Sequence, residues 1–481
     1  MVFSTHIFIF YFLPITLLIY YIIPMRWRQI FLTFMSYIFY GWTKPWFVLI
    51  MMFSTVMDYV FGLLMAGKWN PMGVLENPID GNYAPPVQRK MAVILSVIIN
   101  LSLLGFFKYF VFVEQNINTI IGAFGKQPFD VINVVLPIGI SFYTFQSMSY
   151  NIDLYRGDAK PAKSLLDFAC YVALFPQLIA GPIVRYRDLA DQLSFRTHTI
   201  SKFAVGISFF VIGLAKKILL ANPMGEVADA AFGAGSLIWY DAWTGVLAYA
   251  FQIYFDFSGY SDMAIGLGLM FGFQFIKNFD SPYHAESITD FWRRWHISLS
   301  TWLRDYLYIP LGGNRKGKRR TYFNLAIVMF LGGLWHGAKW TFVIWGSIHG
   351  IMLAFERMIG KKSIYNLLPR PFRVMVTFVI ILVTWVFFRS GSISFAGKYL
   401  SSMIGIRQQF DGSALLGSLI YSRDHIFVFI ACAVVVWFGK QSWDLAQKNF
   451  ALKAVAIIVL FIWSLMAMYT QSYNPFLYFQ F

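Results

Sequence analysis

Residues 91–113 read MAVILSVIINLSLLGFFKYFVFV, and these 23 positions carry a single formal charge, Lys108. A helix of about 20 apolar residues crosses a hydrocarbon core about 30 Å thick, so the run reads as a membrane span. Outward from it, uninterrupted apolar windows recur over residues 7–24, 45–67, 131–150, 203–222, 372–388, 425–438 and 454–470. The composition agrees: of 481 residues, 58% are hydrophobic, 20% aromatic and only 13% charged, the last roughly half the share usual in a soluble domain. Eleven crossings would use about 220 residues and leave chain for loops, half-helices and a buried site. A soluble, disordered or disulfide-stapled chain is excluded by the same figures.

The charges set an expected topology. Lys and Arg number 39 against 23 Asp and Glu, a net charge of +16, which in a polytopic protein means basic cytoplasmic loops facing anionic lipid and not nucleic acid. Arg26 and Arg28 follow the first apolar run, and Lys440, Lys448 and Lys453 precede the last. Both termini are therefore expected on the outer side of the membrane, with an even number of crossings. The first run, Ile7 to Pro24, lacks a basic leader and a small-residue cleavage pattern, and reads as the first span. Asn314 to Arg320 (NRKGKRR) is the most clearly cytoplasmic segment, and Lys68 to Lys90 is a long polar loop. No internal repeat is visible, so one domain over 1–481 is expected. Cys170 and Cys432 lie within apolar runs and read as small buried hydrophobes.

Three further stretches are apolar but interrupted, and inside a bilayer an interruption must be buried in protein or line a cavity. Leu165 to Val184 has basic residues on both flanks and reads as a re-entrant pair. Trp243 to Ile276 holds Asp256-Phe-Ser-Gly-Tyr-Ser-Asp262 at its middle and predicts a discontinuous helix. Phe323 to Phe355 reads as one kinked span and the start of another.

Ionisable groups in these stretches are the first functional candidates. His336 stands in Leu331-Gly-Gly-Leu-Trp-His-Gly337, about 24 Å along a straight helix from Arg320. Neutral imidazole is suited to take a proton near pH 7, and the flanking glycines admit other groups. The alternative is a histidine bonded to a carbonyl across a helix interface. His296 lies in a segment where Trp292, Trp295, Leu299, Trp302 and Leu303 form one helical face, while Arg293, Arg294 and Arg304 forbid a simple crossing. An interfacial helix is expected there. Its arginines, with Arg315 and Lys316 of the basic loop, could hold phosphates or sit among lipid headgroups. His349 would not share a face with His336 and reads as structural; His6, His198, His284 and His425 read as surface or span-end residues. No zinc spacing such as H-x-x-x-H or C-x-x-C is present, and no G-x-S-x-G. Asp256 and Asp262 could form a proton relay, which would make the chain an exporter, or cap a half-helix.

Taken together, Leu136 to Asp158 (LPIGISFYTFQSMSYNIDLYRGD), Phe175 to Leu189, Tyr254 to Phe273, Phe291 to Gly317 and LGGLWHG (Leu331 to Gly337) resemble the membrane-bound O-acyltransferases. Within that family the likeness is to the bacterial branch that acetylates exopolysaccharide, the alginate O-acetyltransferase type. The resemblance implies an all-α polytopic membrane protein, a ring of about 10–12 transmembrane helices with half-helices around a thin catalytic centre. It places the catalytic core over 291–355, with His336 as the intramembrane catalytic histidine and His296 as the second. It implies acetyl-CoA as donor substrate without a bound cofactor, its phosphates on Arg293, Arg294, Arg315 and Lys316. It also implies periplasmic partner proteins of a polysaccharide-modification complex and an aromatic outer-side tail over 469–481. Tyr478 in that tail is a candidate acyl relay, since a phenol can be activated by a histidine base and its ester remains a donor; an interfacial aromatic belt is the other reading. Alginate is the first expected acceptor polymer. Peptidoglycan, cellulose and teichoic-acid D-alanylation stay open, as do the exporter and a non-catalytic scaffold.

Overall fold

The computed structural model describes residues 1–67, 86–234, 237–360, 367–406, 413–447 and 450–477. Among these all regular structure is helical, as the unbroken apolar runs require, because helices satisfy their own backbone groups in lipid. Six helices are long and apolar enough to cross a membrane: Trp46–Met65, Pro86–Ala123, Ile200–Gly233, Trp340–Ile359, Arg370–Arg389 and Lys453–Thr470. Phe8–Ile22 is a shorter apolar helix. The protein is thus an all-α polytopic membrane protein. Two compact units are resolved, Met1–Gly206 with Ala264–Ile276, and Ile207–Met263 with Lys277–Phe481.

In the first unit, Ile140–Arg156 forms a helix whose residues from Ile140 to Asn151 are all buried although half are polar. The window expected over 131–150 begins later than hydropathy suggests: 131–137 are not helical. Val134 and Val135 lead into Leu136-Pro137, and a proline biases the residue before it towards extended backbone. The polar face is held by Asp58 of helix Trp46–Met65, which accepts from Ser96 Oγ at 2.7 Å, Asn100 Nδ2 at 2.9 Å and Asn151 Nδ2 at 2.8 Å. The stretch read as re-entrant is built from helices Leu165–Ala173 and Phe175–Leu178, both too short to cross. Its backbone is served from within: Gln177 Nε2 donates to Tyr171 O at 2.6 Å and Tyr171 OH to Val184 O at 3.0 Å.

The second unit corrects two expectations. Trp239–Met270 is one unbroken helix of 32 residues, not a discontinuous pair. Its polar centre is satisfied by other parts of the unit. A π-turn at Lys216–Ala221 presents two adjacent lysines, Lys217 pairing with Asp256 at 2.9 Å and Lys216 with Asp262 at 2.7 Å. Ser442 Oγ adds a bond to Asp262 at 2.6 Å. Each carboxylate is therefore neutralised inside an intact helix, and neither caps a half-helix. Conversely, the segment expected as one interfacial helix is two, Ile288–Arg294 and Ile297–Leu303, broken at Trp295 and His296. The apolar face survives the break, with Trp292, Trp295, Leu299, Trp302 and Leu303 all buried.

The stretch Phe323 to Phe355 is a helical hairpin, Lys318–His336 and Trp340–Ile359. A Cβ on Gly333 would meet Phe342 O at 2.3 Å, and one on Gly346 would meet Met329 O at 2.3 Å. Main chain thus lies on main chain, an approach only glycine permits.

Candidate active site

His336 is the last residue of its helix, and Gly337 turns the chain to extended backbone with ψ 152°. With about 1.5 Å of rise per residue, the 18 steps from Lys318 to His336 set the imidazole about 27 Å from the basic end of the helix. Trp345 meets its ring edge-on at a centroid separation of 5.2 Å, and Phe388 lies 5.2 Å away on helix Arg370–Arg389. Trp335 contacts both histidines, 5.1 Å from the His336 ring and 6.1 Å from that of His296. His336 is buried, with 6% of the residue's surface exposed.

His296 owes its placement to the helix break. It adopts φ 44° and ψ 56°, a left-handed conformation uncommon for a residue with a Cβ. Asn278 holds it there from two sides. Its backbone carbonyl accepts from Ile297 N at 2.9 Å, and its side-chain Oδ1 accepts from Ser298 N at 3.2 Å and Ser298 Oγ at 2.9 Å. His296 Nδ1 lies 3.2 Å from the same Oδ1. An oxygen that already accepts from a backbone amide must accept here too, so Nδ1 carries a proton, and in the neutral ring the lone pair is on Nε2. That Nε2 is buried and has no hydrogen-bond partner among the described residues. Phe257 packs edge-on against the ring at 4.6 Å. The result is an imidazole held through Nδ1, whose Nε2 bonds nothing among the described residues. Asn278 and Ser298 were invisible as site residues in the sequence. No local motif marks a residue that bonds a ring 18 positions away.

His349 contrasts with both. Trp292 Nε1 can only donate, and does so to His349 Nδ1 at 3.2 Å; His349 Nε2 then donates to Thr384 Oγ1 at 3.2 Å. Both nitrogens are used, in keeping with the structural reading.

The basic residues are distributed along this unit. Arg293 is exposed, while Arg294 pairs with Asp290 at 3.0 Å and bonds Asp280 O at 3.3 Å. Arg315 and Lys316 are exposed on the loop before Lys318, which is pinned by Asn324 Nδ2 donating to Gly313 O at 2.9 Å. Arg315 and Lys316 therefore stand at the end of the histidine helix remote from His336. Tyr478 lies outside the described residues; the chain is described to Leu477.

A family model described as MBOAT, membrane-bound O-acyltransferase family, matches residues 159–396, which include His296, His336 and Asn278. Over its full length the chain is 42% identical to a probable alginate O-acetylase of Azotobacter vinelandii, with both chains covered completely. It is 43% identical to a protein of the same description from Pseudomonas putida, again over 100% of each. A peptidoglycan O-acetyltransferase of Helicobacter pylori is 33% identical, with 100% of this chain and 98% of that one covered.

Proposed function

The chain belongs to the membrane-bound O-acyltransferase family, and from that premise we propose that it moves an acetyl group from cytoplasmic acetyl-CoA across the inner membrane for acetylation of a periplasmic polysaccharide, alginate first. Support for the polymer comes from the full-length similarity to probable alginate O-acetylases. The observation that carries the chemistry is the pair of buried imidazoles in one unit, His336 at the end of its helix and His296 with an uncommitted Nε2.

In the proposed reaction, the CoA phosphates rest on Arg293, Arg315 and Lys316, with Arg294 braced by Asp290 beside them. The thioester reaches His336 from the cytoplasmic side. His336 takes the proton of an acceptor hydroxyl as its oxygen attacks the thioester carbon. Collapse of the tetrahedral intermediate breaks the carbon–sulfur bond, and the proton passes to the departing thiolate, giving CoA thiol and an ester. His296 orients the acceptor or donor through Nε2. The acceptor hydroxyl in this scheme is the phenol of Tyr478, and a periplasmic partner collects its acetyl ester and passes it to the polymer. Both termini then face the periplasm, as the positions of Arg26, Arg28, Lys440 and Lys453 suggest.

Inverted membrane vesicles supplied with acetyl-labelled CoA provide the test. Intact mass should show one added acetyl group, lost in Tyr478→Phe, and neither label nor polymer acetylation should appear with His336→Ala. Normal acetylation of the polymer in His336→Ala would overturn the assignment. The full-length similarity to a peptidoglycan O-acetyltransferase supports a second acceptor, which is separated from the first by measuring acetyl ester in each polymer after gene deletion.

A further inference from the structure

The last described stretch, Gln471–Leu477, leaves helix Phe450–Thr470 and is seated within its own unit by a series of specific bonds. Tyr473 OH donates to Asp229 Oδ2 at 2.5 Å, and Asp229 also pairs with Arg389. Asn222 Nδ2 donates to Asn474 Oδ1 at 3.3 Å. The ring of Phe476 stacks on Tyr260 at 4.6 Å. Phe476 and Leu477 are buried, at 5% and 2% exposure.

The deepest contacts involve a buried ion pair. Lys217 and Asp256 lie 2.9 Å apart with side chains 3% and 2% exposed. Removing two charges from water is costly, and such a pair is a weak source of stability; it is better explained where it specifies an arrangement. Each partner makes a second bond, and both go to tail main chain. Lys217 Nζ donates to Pro475 O, and Leu477 N donates to Asp256 Oδ2 at 3.0 Å. A proline offers only its carbonyl, so a cation and an anion side by side match the acceptor at 475 and the donor at 477. The next residue along the helix, Phe257, is the one whose ring packs against His296.

We propose that Lys217 and Asp256 are positioning residues: they clip the C-terminal segment by its backbone, so that the chain beyond Leu477 starts from a fixed point in the unit that holds both histidines. The clip stands on the contacts alone; its functional consequence rests on the reading of Tyr478 as acyl acceptor.

Digestion of the intact, full-length protein with a carboxypeptidase, followed by intact mass and run beside polymer acetylation, tests this. The wild-type tail should resist trimming past Leu477. Lys217→Met with Asp256→Leu, which leaves no orphaned charge, should be trimmed towards Thr470 at least about tenfold faster, the effect of losing one charged hydrogen bond. Melting temperature should stay close to wild type, acetyl transfer should fall in step, and Lys217→Arg should restore protection. A folded double variant with an unchanged trimming rate overturns the clip whatever its activity. A released tail with unchanged transfer leaves the clip standing and overturns Tyr478 as acceptor. If the double variant does not accumulate, Tyr473→Phe with Phe476→Ala removes the other seat contacts and leaves the buried pair intact; that tail should stay resistant to trimming, and its release at the rate of an unheld chain overturns the clip.

Discussion

His296 and His349 are equally buried, at 0% and 1% exposure, and belong to one unit. They differ in what their nitrogens do. His349 receives a bond from Trp292 and gives one to Thr384, whose hydroxyl in turn donates to Ile381 O at 2.9 Å. His296 commits only Nδ1, and its backbone is held in a left-handed turn to do so. Burial alone therefore says little about the role of an intramembrane histidine. A ring nitrogen with no bond to the described residues, on a residue held in an uncommon backbone conformation, says more.

The largest expected effect comes from the third histidine, against which both are measured. His336→Ala should lower polymer acetylation about 10²–10⁴-fold, the span typical of a lost acid–base group, at unchanged protein level in membranes. Asn278→Ala should come next, with turnover down about 10–100-fold, as when a supporting partner of a working imidazole is removed, and a smaller change in donor KM. Full activity in that variant would strip the contrast between the two rings of catalytic meaning. His349→Phe should act in the opposite sense, lowering stability by about 1–3 kcal/mol through the bonds it breaks while the folded fraction turns over normally. Thermal denaturation in detergent with activity per folded molecule separates those outcomes. The smallest effect should follow Arg315→Gln with Lys316→Gln: these exposed cations should raise donor KM about two- to tenfold and leave kcat alone. A fall in kcat would mean that the loop does more than grip phosphate.

Much of this was legible in the chain. The apolar runs over 45–67, 91–113, 203–222, 372–388 and 454–470 match helices long enough to cross, while those over 7–24, 131–150 and 425–438 fold as shorter ones; the two histidines stood out because charge-bearing groups are scarce in such surroundings. The faults have physical causes. Asp256 and Asp262 looked like a break because nothing nearby neutralises them; the lysines that do so are 39 and 46 residues earlier, on a π-turn that no periodicity announces. The segment around His296 looked continuous because its tryptophans keep helical spacing on both sides of the turn. The turn itself is imposed by Asn278, through contacts that only the folded chain brings together.

The hairpin that ends in His336 has a wider consequence. Gly333 and Gly346 let its two strands of backbone touch, so the ring is located by peptide groups whose shape does not depend on neighbouring side chains. Under the proposed reaction, residues around the imidazole can therefore be exchanged over evolutionary time, or by an engineer seeking a different acceptor alcohol, without moving the atom proposed to take the proton. Diversification of substrate and preservation of chemistry would then be uncoupled by two missing methyl groups.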